Sequence, residues 1–189
     1  MNVIKDITEL IGKTPLLQIL DFRIPKGVNI YAKLEMMNPG GSIKDRLGEV
    51  LIAEAIGSGK LKPGGTVIEA TAGNTGIGLA LAARKHGIRP VFCVPEHFSM
   101  EKQSIMKALG ARIVHTPRSA GMKGAIEKAL ELEKEIPDSY CVLQFKNPVN
   151  PLAYYKTIAP EYGMILAAGL TSSSPERGQA AHLREPPSF

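Results

Sequence analysis

Residues 65–87 read GTVIEATAGNTGIGLALAARKHG. The run from Thr66 to Ala70 opens on three β-branched residues and reads as a strand. "TAGNTG" follows, polar and glycine-bearing, and passes without a spacer into "IGLALAARK", a helical pattern stopped by Gly87. A strand that runs through such a loop into a helix is one half of a βαβ unit. The same grammar extends in both directions. Upstream, "VNIYAKLEM" (28–36) predicts a strand and "SIKDRLGEVLIAEAIGSG" (42–59) a helix closed by glycine. Downstream come a strand at 89–95, a helix at 99–110 with Ser99 as its N-cap, and a strand at 111–116. A helix at 121–135 and a strand at 139–145 complete the series. The pattern predicts an α/β fold: an open, mostly parallel sheet with helices on both faces, in regular alternation from about residue 28. The first 20 residues end in the strand-like "LLQIL" but lie outside that alternation and are expected to pack elsewhere.

Charge and composition narrow the partners. The formal net charge is +5 over 189 residues, but the cations are interleaved with acids, as in "IEKALELEKEIPD" (126–138). No basic stripe with interleaved aromatics exists, so nucleic acid is not an expected partner. One local cationic pocket for a small anion fits the charge equally well. Cys93 and Cys141 sit in apolar strand-like runs without a CxxC pair and read as buried free thiols. His86, His97, His115 and His182 are dispersed, so no metal is expected. No apolar run approaches a bilayer span and the N-terminus mixes charges early, which predicts a cytoplasmic protein with no membrane partner.

In an open parallel sheet, ligands sit beyond the carboxyl ends of the strands. Two loops have that context: "NPGGSIKDR" (38–46) and "EATAGNTGIG" (69–78). In the second, Gly73, Gly76 and Gly78 are spaced GxxGxG rather than GxGxxG, and no acid ends the next strand, which argues against a dinucleotide site. Backbone N–H groups at a helix N-terminus, flanked by Thr71, Asn74 and Thr75, suit a carboxylate or phosphate instead. In the first loop, Lys44 falls in the opening turn of a helix, where the dipole disfavours a cation unless something compensates. The glycines before it allow a planar group to approach the backbone, and an amine held there is a candidate nucleophile toward a carbonyl.

At these residues the chain resembles a known family. "NPGGSIKDR" with "EATAGNTGIGLA" is similar to the cysteine synthase and cystathionine β-synthase group of pyridoxal phosphate enzymes, with the tryptophan-synthase-β-like fold. "IGKTPLLQI", "KLKPGGTVIEAT", "SMEKQSIMKALGARIV", "GMKGAIEKA" and "QFKNPVNPLAYYKTIAPE" extend the likeness from residue 7 to about 161. The resemblance implies pyridoxal 5'-phosphate as cofactor, with Lys44 the catalytic lysine that holds it and moves a substrate proton. It implies that Asn74 hydrogen-bonds the cofactor. It further implies that Thr71, Gly73, Asn74, Thr75 and Gln144 bind the substrate carboxylate. The implied reaction is β-replacement on O-acetylserine by sulfide, giving cysteine and acetate, with a homodimer in the relatives. Ala72 stands where many sulfide-using members carry serine, and "ATAGNTGIGLA" resembles members that take homocysteine. An inactive truncated fragment of such an enzyme is a third reading.

That third reading comes from the C-terminal stretch. After Glu161 the sequence loses periodicity and becomes rich in Ser, Pro and Arg. Relatives carry a glycine-threonine loop here whose N–H groups hold the cofactor phosphate. Rereading the codons of residues 161–187 from the third base of each permits "EIWDDLGGRID" followed by a loop of that type. The expectation is one base lost near codons 161–162. Residues 156–189 would then be a remnant of a larger domain, out of frame and disordered from about 162. In this scheme residues 36–155 form the small domain, and residues 1–35 pack, in relatives, on the larger one. Stop codons across this stretch of the second frame of the gene would rule the idea out.

Overall fold

The computed structural model describes residues 3–167, with side chains through residue 164. Two strands, β1 (Leu16–Ile19) and β2 (Ile30–Lys33), are followed by α1 (Lys44–Gly57), β3 (Thr66–Ala70), α2 (Asn74–Lys85), β4 (Arg89–Pro95) and α3 (Met100–Ala108). Then come β5 (Arg112–Thr116), α4 (Gly121–Glu135), β6 (Ser139–Cys141) and α5 (Val149–Ala167). Four strands form a parallel sheet in the order β5-β4-β3-β6. Its two faces are sorted by the period-2 alternation of strands. Val67, Phe92 and Val94 face α1, α2 and α5 in one core. Ile68, Ala70, Val91, Cys93 and Cys141 face Ala125, Ala129 and Leu132 of α4 in the other. The expected three layers are present, and both cysteines are buried free thiols.

The structure corrects the reading in three places. β2 is not the first strand of the parallel sheet: it pairs antiparallel with β1 as a separate two-stranded sheet, Leu16 opposite Lys33. "VNIYAKLEM" has strand propensity, but propensity does not say which sheet a strand joins. β6 is shorter than expected, because Val142 makes a last bond to the Ile68 carbonyl and Leu143 then turns to φ 50°. The third difference is α5, which the periodicity did not reveal. It runs through Tyr162, where disorder was expected, to Ala167; the remainder of that expectation lies outside the described residues. No helix among the described residues is long and apolar enough to cross a membrane.

The β1–β2 hairpin is tied to the helices by one buried ionic cluster. Arg46 of α1 is 2% exposed and grips two carboxylates, each with two N–H groups. Nε and Nη2 reach Glu35 at 2.8 and 2.9 Å, and Nη1 and Nη2 reach Glu161 of α5 at 2.6 and 3.0 Å. Lys33 of β2 pairs with Glu161, which also accepts from the Lys13 N–H at 2.9 Å. Two cations and two anions cancel, and paired geometry of this kind is what makes buried charge tolerable. Burial pushes the Glu161 carboxyl up, but hydrogen bonds from Arg46 and Lys33 outweigh it and hold it at about 2, against an ordinary 4.5. The unfolded chain therefore binds the extra proton between those values. Stability rises with pH across that window and is lost as pH falls through it, by on the order of 3 kcal/mol. Glu161→Gln is expected to lower Tm at pH 6 by roughly 5–15 °C. Calorimetry at pH 6 and pH 2.5 checks this: the gap from wild type should shrink to roughly a quarter at the lower pH, and a gap of equal size at both would refute it.

Candidate active site

The order of the parallel sheet reverses between β3 and β6. From β3 the chain steps outward to β4 and β5, and α4 then carries it back to the opposite edge. Open α/β sheets bind ligands beyond the carboxyl ends at such a reversal. The two segments that leave there, 71–75 after β3 (running into the first turn of α2) and 142–148 after β6, hold five of the six residues singled out from the sequence.

Thr71 is 4% exposed, and its N–H continues the ladder to the Cys93 carbonyl at 3.2 Å. Gly73 is the N-cap of α2, extended at φ −135° and ψ −154°, and its N–H reaches the Thr71 hydroxyl at 3.4 Å. Asn74, half-buried, is the first residue of α2. Thr75 is 5% exposed, and its hydroxyl donates to Gln144 Oε1 at 2.7 Å. The structure thus joins Thr75 and Gln144, which lie 69 residues apart in sequence. The first-turn N–H groups of α2, one of the two polar loops beside it and the Gln144 amide form a donor set suited to a carboxylate.

Lys44 opens α1, and its N–H is bonded to the Ser42 hydroxyl at 3.1 Å. Its amine lies 2.6 Å from the Tyr154 hydroxyl on α5 and 5.2 Å from the ring centroid. The cation therefore sits beyond the oxygen end of the ring rather than over its face, and the contact is a hydrogen bond, not a cation–π pair. Burial alone pushes the Lys44 pKa down, which raises the fraction of neutral amine able to attack a carbonyl.

Two glycines bring Lys44 to the loop. A Cβ on Gly78 would meet the Lys44 carbonyl, and one on Gly48 would meet the Gly78 backbone, both closer than the 3.0 Å that real Cβ atoms keep. The backbones of α1 and α2 therefore touch. Gly78 lies one turn after Asn74 on the same side of α2, so Lys44 is seated against the first turn of the helix whose N-terminus is the candidate anion site. A reactive amine and an anion-binding helix end on adjoining backbones fit pyridoxal phosphate and an amino-acid substrate. The stretch where relatives carry the phosphate-holding loop, expected here only in the second reading frame, lies outside the described residues.

Three side chains near this site were not singled out from the sequence. Tyr154 lies on the unread helix α5. Asp45, fully buried beside Lys44, accepts from the Gly40 N–H, and burial pushes its carboxyl up to about 6. Glu69, 2% exposed, is pushed up by burial to about 7. A lone acid inside the apolar strand "TVIEA" was the available signal for the last, since a buried carboxylate needs partners.

A family model described as pyridoxal-phosphate dependent enzyme matches residues 7–168. The chain is 64% identical over 192 residues to the O-acetylserine dependent cystathionine beta-synthase of Bacillus subtilis, covering 98% of this chain and 62% of that protein. It is 54% identical over 174 residues to a cysteine synthase of Helicobacter pylori, covering 91% and 57%. The crystal structure of O-acetylserine dependent cystathionine beta-synthase from Helicobacter pylori aligns with a TM-score of 0.84 at 54% identity, over 90% of this chain and 56% of that one. Cysteine synthase from Entamoeba histolytica aligns at 0.82 and 40% identity, over 88% and 50%. This chain spans about 60% of the length of the curated relatives it matches.

Proposed function

This chain belongs to the pyridoxal-phosphate dependent enzyme family, and from that premise we propose that it carries the lysine-bearing domain of an amino-acid β-replacement enzyme. The substrate in this reading is O-acetylserine, which exchanges acetate for a sulfur nucleophile in the cytoplasm. Pyridoxal phosphate, when bound, supplies the electron sink that makes the substrate α-carbon acidic. The chain's own residues do the rest. Lys44 holds the cofactor and moves the α-proton, and Asn74 hydrogen-bonds the cofactor ring. Thr71, Gly73, Asn74, Thr75 and Gln144 orient the carboxylate. The observation that carries this reading is the seating of Lys44, its amine partly desolvated, against the first turn of α2.

For the nucleophile, sulfide is the first reading and homocysteine the second. Two observations favour homocysteine. Ala72 replaces the serine of many sulfide-using members, and the relative at 64% identity is named for cystathionine formation. The test is to supply the purified chain with pyridoxal phosphate, O-acetylserine and either sulfide or homocysteine, and to identify products by mass spectrometry. Cystathionine in excess of cysteine selects homocysteine, and the reverse selects sulfide. If neither product forms and no visible absorbance develops with the cofactor, the enzyme reading of this chain fails and the inactive-fragment reading replaces it.

A further inference from the structure

Glu69 is the one acid of β3, and the reading above leaves it without a task. Its two oxygens serve different segments. Oε1 accepts from the Ala70 N–H at 3.0 Å, on its own strand, and Oε2 accepts from the Gln144 N–H at 3.0 Å, in the loop after β6. The β3–β6 ladder has already ended at this point, with the Val142 bond to Ile68. Leu143 then adopts φ 50°, a conformation that costs a non-glycine residue on the order of 1 kcal/mol or more and persists only where neighbours hold it. The next residue, Gln144, is held on three sides. Glu69 takes its N–H, Asn150 Nδ2 donates to its carbonyl at 3.0 Å, and the Thr75 hydroxyl donates to its side chain at 2.7 Å.

We propose that Glu69 is a positioning residue, whose ionised carboxylate bridges the ends of β3 and β6 and sets Gln144 against Thr75 at the candidate carboxylate site. The proposal rests on the substrate-binding reading of Thr75 and Gln144, and it names the brace behind them. Two N–H donors converge on two oxygens, so the fully acceptor, ionised form is the one the geometry uses. Glutamine, of the same shape, offers one acceptor and turns an NH2 toward the other N–H. Burial favours the protonated acid, and the hydrogen bonds from Gln144 and Ala70 oppose it, leaving Glu69 titrating at about 7. The titratable groups that sense its charge are Cys93 on β4 and Tyr140 and Cys141 on β6, each with its pKa raised in part by Glu69. The brace is therefore engaged at pH 8.5 and released at pH 5.5.

The test is amide hydrogen exchange of the full chain without cofactor, corrected for the intrinsic rate and read on the segment 142–148. In wild type, protection of the Gln144 amide should be at least about tenfold higher at pH 8.5 than at pH 5.5, the factor expected for one charge-assisted bond. In Glu69→Gln the profile should be flat and low, with β4 unchanged. Equal wild-type protection at both pH values overturns the proposal, and so does a variant that matches wild type at pH 8.5. If the variant does not fold, the wild-type pH series alone decides. Calorimetric titration with O-acetyl-L-serine, run on the cofactor-loaded chain, reads the other premise. No uptake by wild type defeats the substrate reading, whereas Glu69 stands or falls by exchange.

Discussion

Lys44→Ala is expected to abolish the visible absorbance that the chain develops with one equivalent of pyridoxal phosphate, and to lower any β-replacement activity by at least about a thousandfold. Surface lysines also react with aldehydes, so the expectation needs a reason for selectivity. Nearly all exposed amines are protonated at pH 7.5. Burial lowers the pKa of Lys44, so more of its amine is neutral than that of an exposed lysine and it is favoured at stoichiometric cofactor. Fold stability should change little, because alanine is the best helix former and the lost Tyr154 contact is a single hydrogen bond. Lys44→Arg separates charge from chemistry. It keeps the cation near Tyr154 but lacks a reactive amine, so it too should stay colourless. A band of wild-type intensity in Lys44→Ala would show that the cofactor is held elsewhere.

The alternation of strand and helix from residue 65 to 135 was legible because each element carries its own signal: β-branched runs, a serine cap, glycine stops. What the sequence could not show is partnership across long separations. "VNIYAKLEM" reads as a strand whichever sheet it joins, and nothing within that stretch identifies β1 as its antiparallel partner. α5 was hidden for a different reason. It carries proline at 151 in its first turn and at 160 inside it. The first is compatible with a helix start and the second deletes one bond, and both read locally as breakers. Arg46 stood in plain view within "KDR", yet its carboxylates come from residues 35 and 161. At the site, Lys44 and the 71–75 loop were visible from local context. A cofactor contact for Asn74 and a carboxylate contact for Gln144 were expected only through resemblance. The structure adds that Thr75 and Gln144 touch, and that Glu69 stands behind the second of them.

Gly78→Ala is expected to be strongly disruptive, although helix propensity alone predicts the opposite. Alanine is favoured over glycine in a helix interior by about 1 kcal/mol. At Gly78 the added carbon would meet the Lys44 carbonyl oxygen and carbon, both closer than the 3.0 Å that real Cβ atoms keep, with the Asp45 nitrogen at 3.0 Å. Neither backbone atom can move without displacing α1, so overpacking prevails, at a net cost of roughly 2–4 kcal/mol. In a body of this size that lowers Tm by roughly 5–15 °C. Gly57 supplies the internal control: it ends the same α1 with nothing within 4 Å of an added Cβ, so Gly57→Ala should be neutral or stabilising. Because the displaced segment is the one that bears Lys44, Gly78→Ala should also lose cofactor-dependent absorbance at temperatures where it is still folded, whereas Gly57→Ala should keep it. Gly48 offers a further check, since its Cβ would strike the Gly78 backbone at the same crossing. Once one alanine has parted the helices, the second meets a gap already opened, so Gly48→Ala and Gly78→Ala together should cost clearly less than their sum. Additive losses, or a Gly78→Ala chain as stable as Gly57→Ala, would mean that the two helices are not held backbone to backbone and that something else seats Lys44.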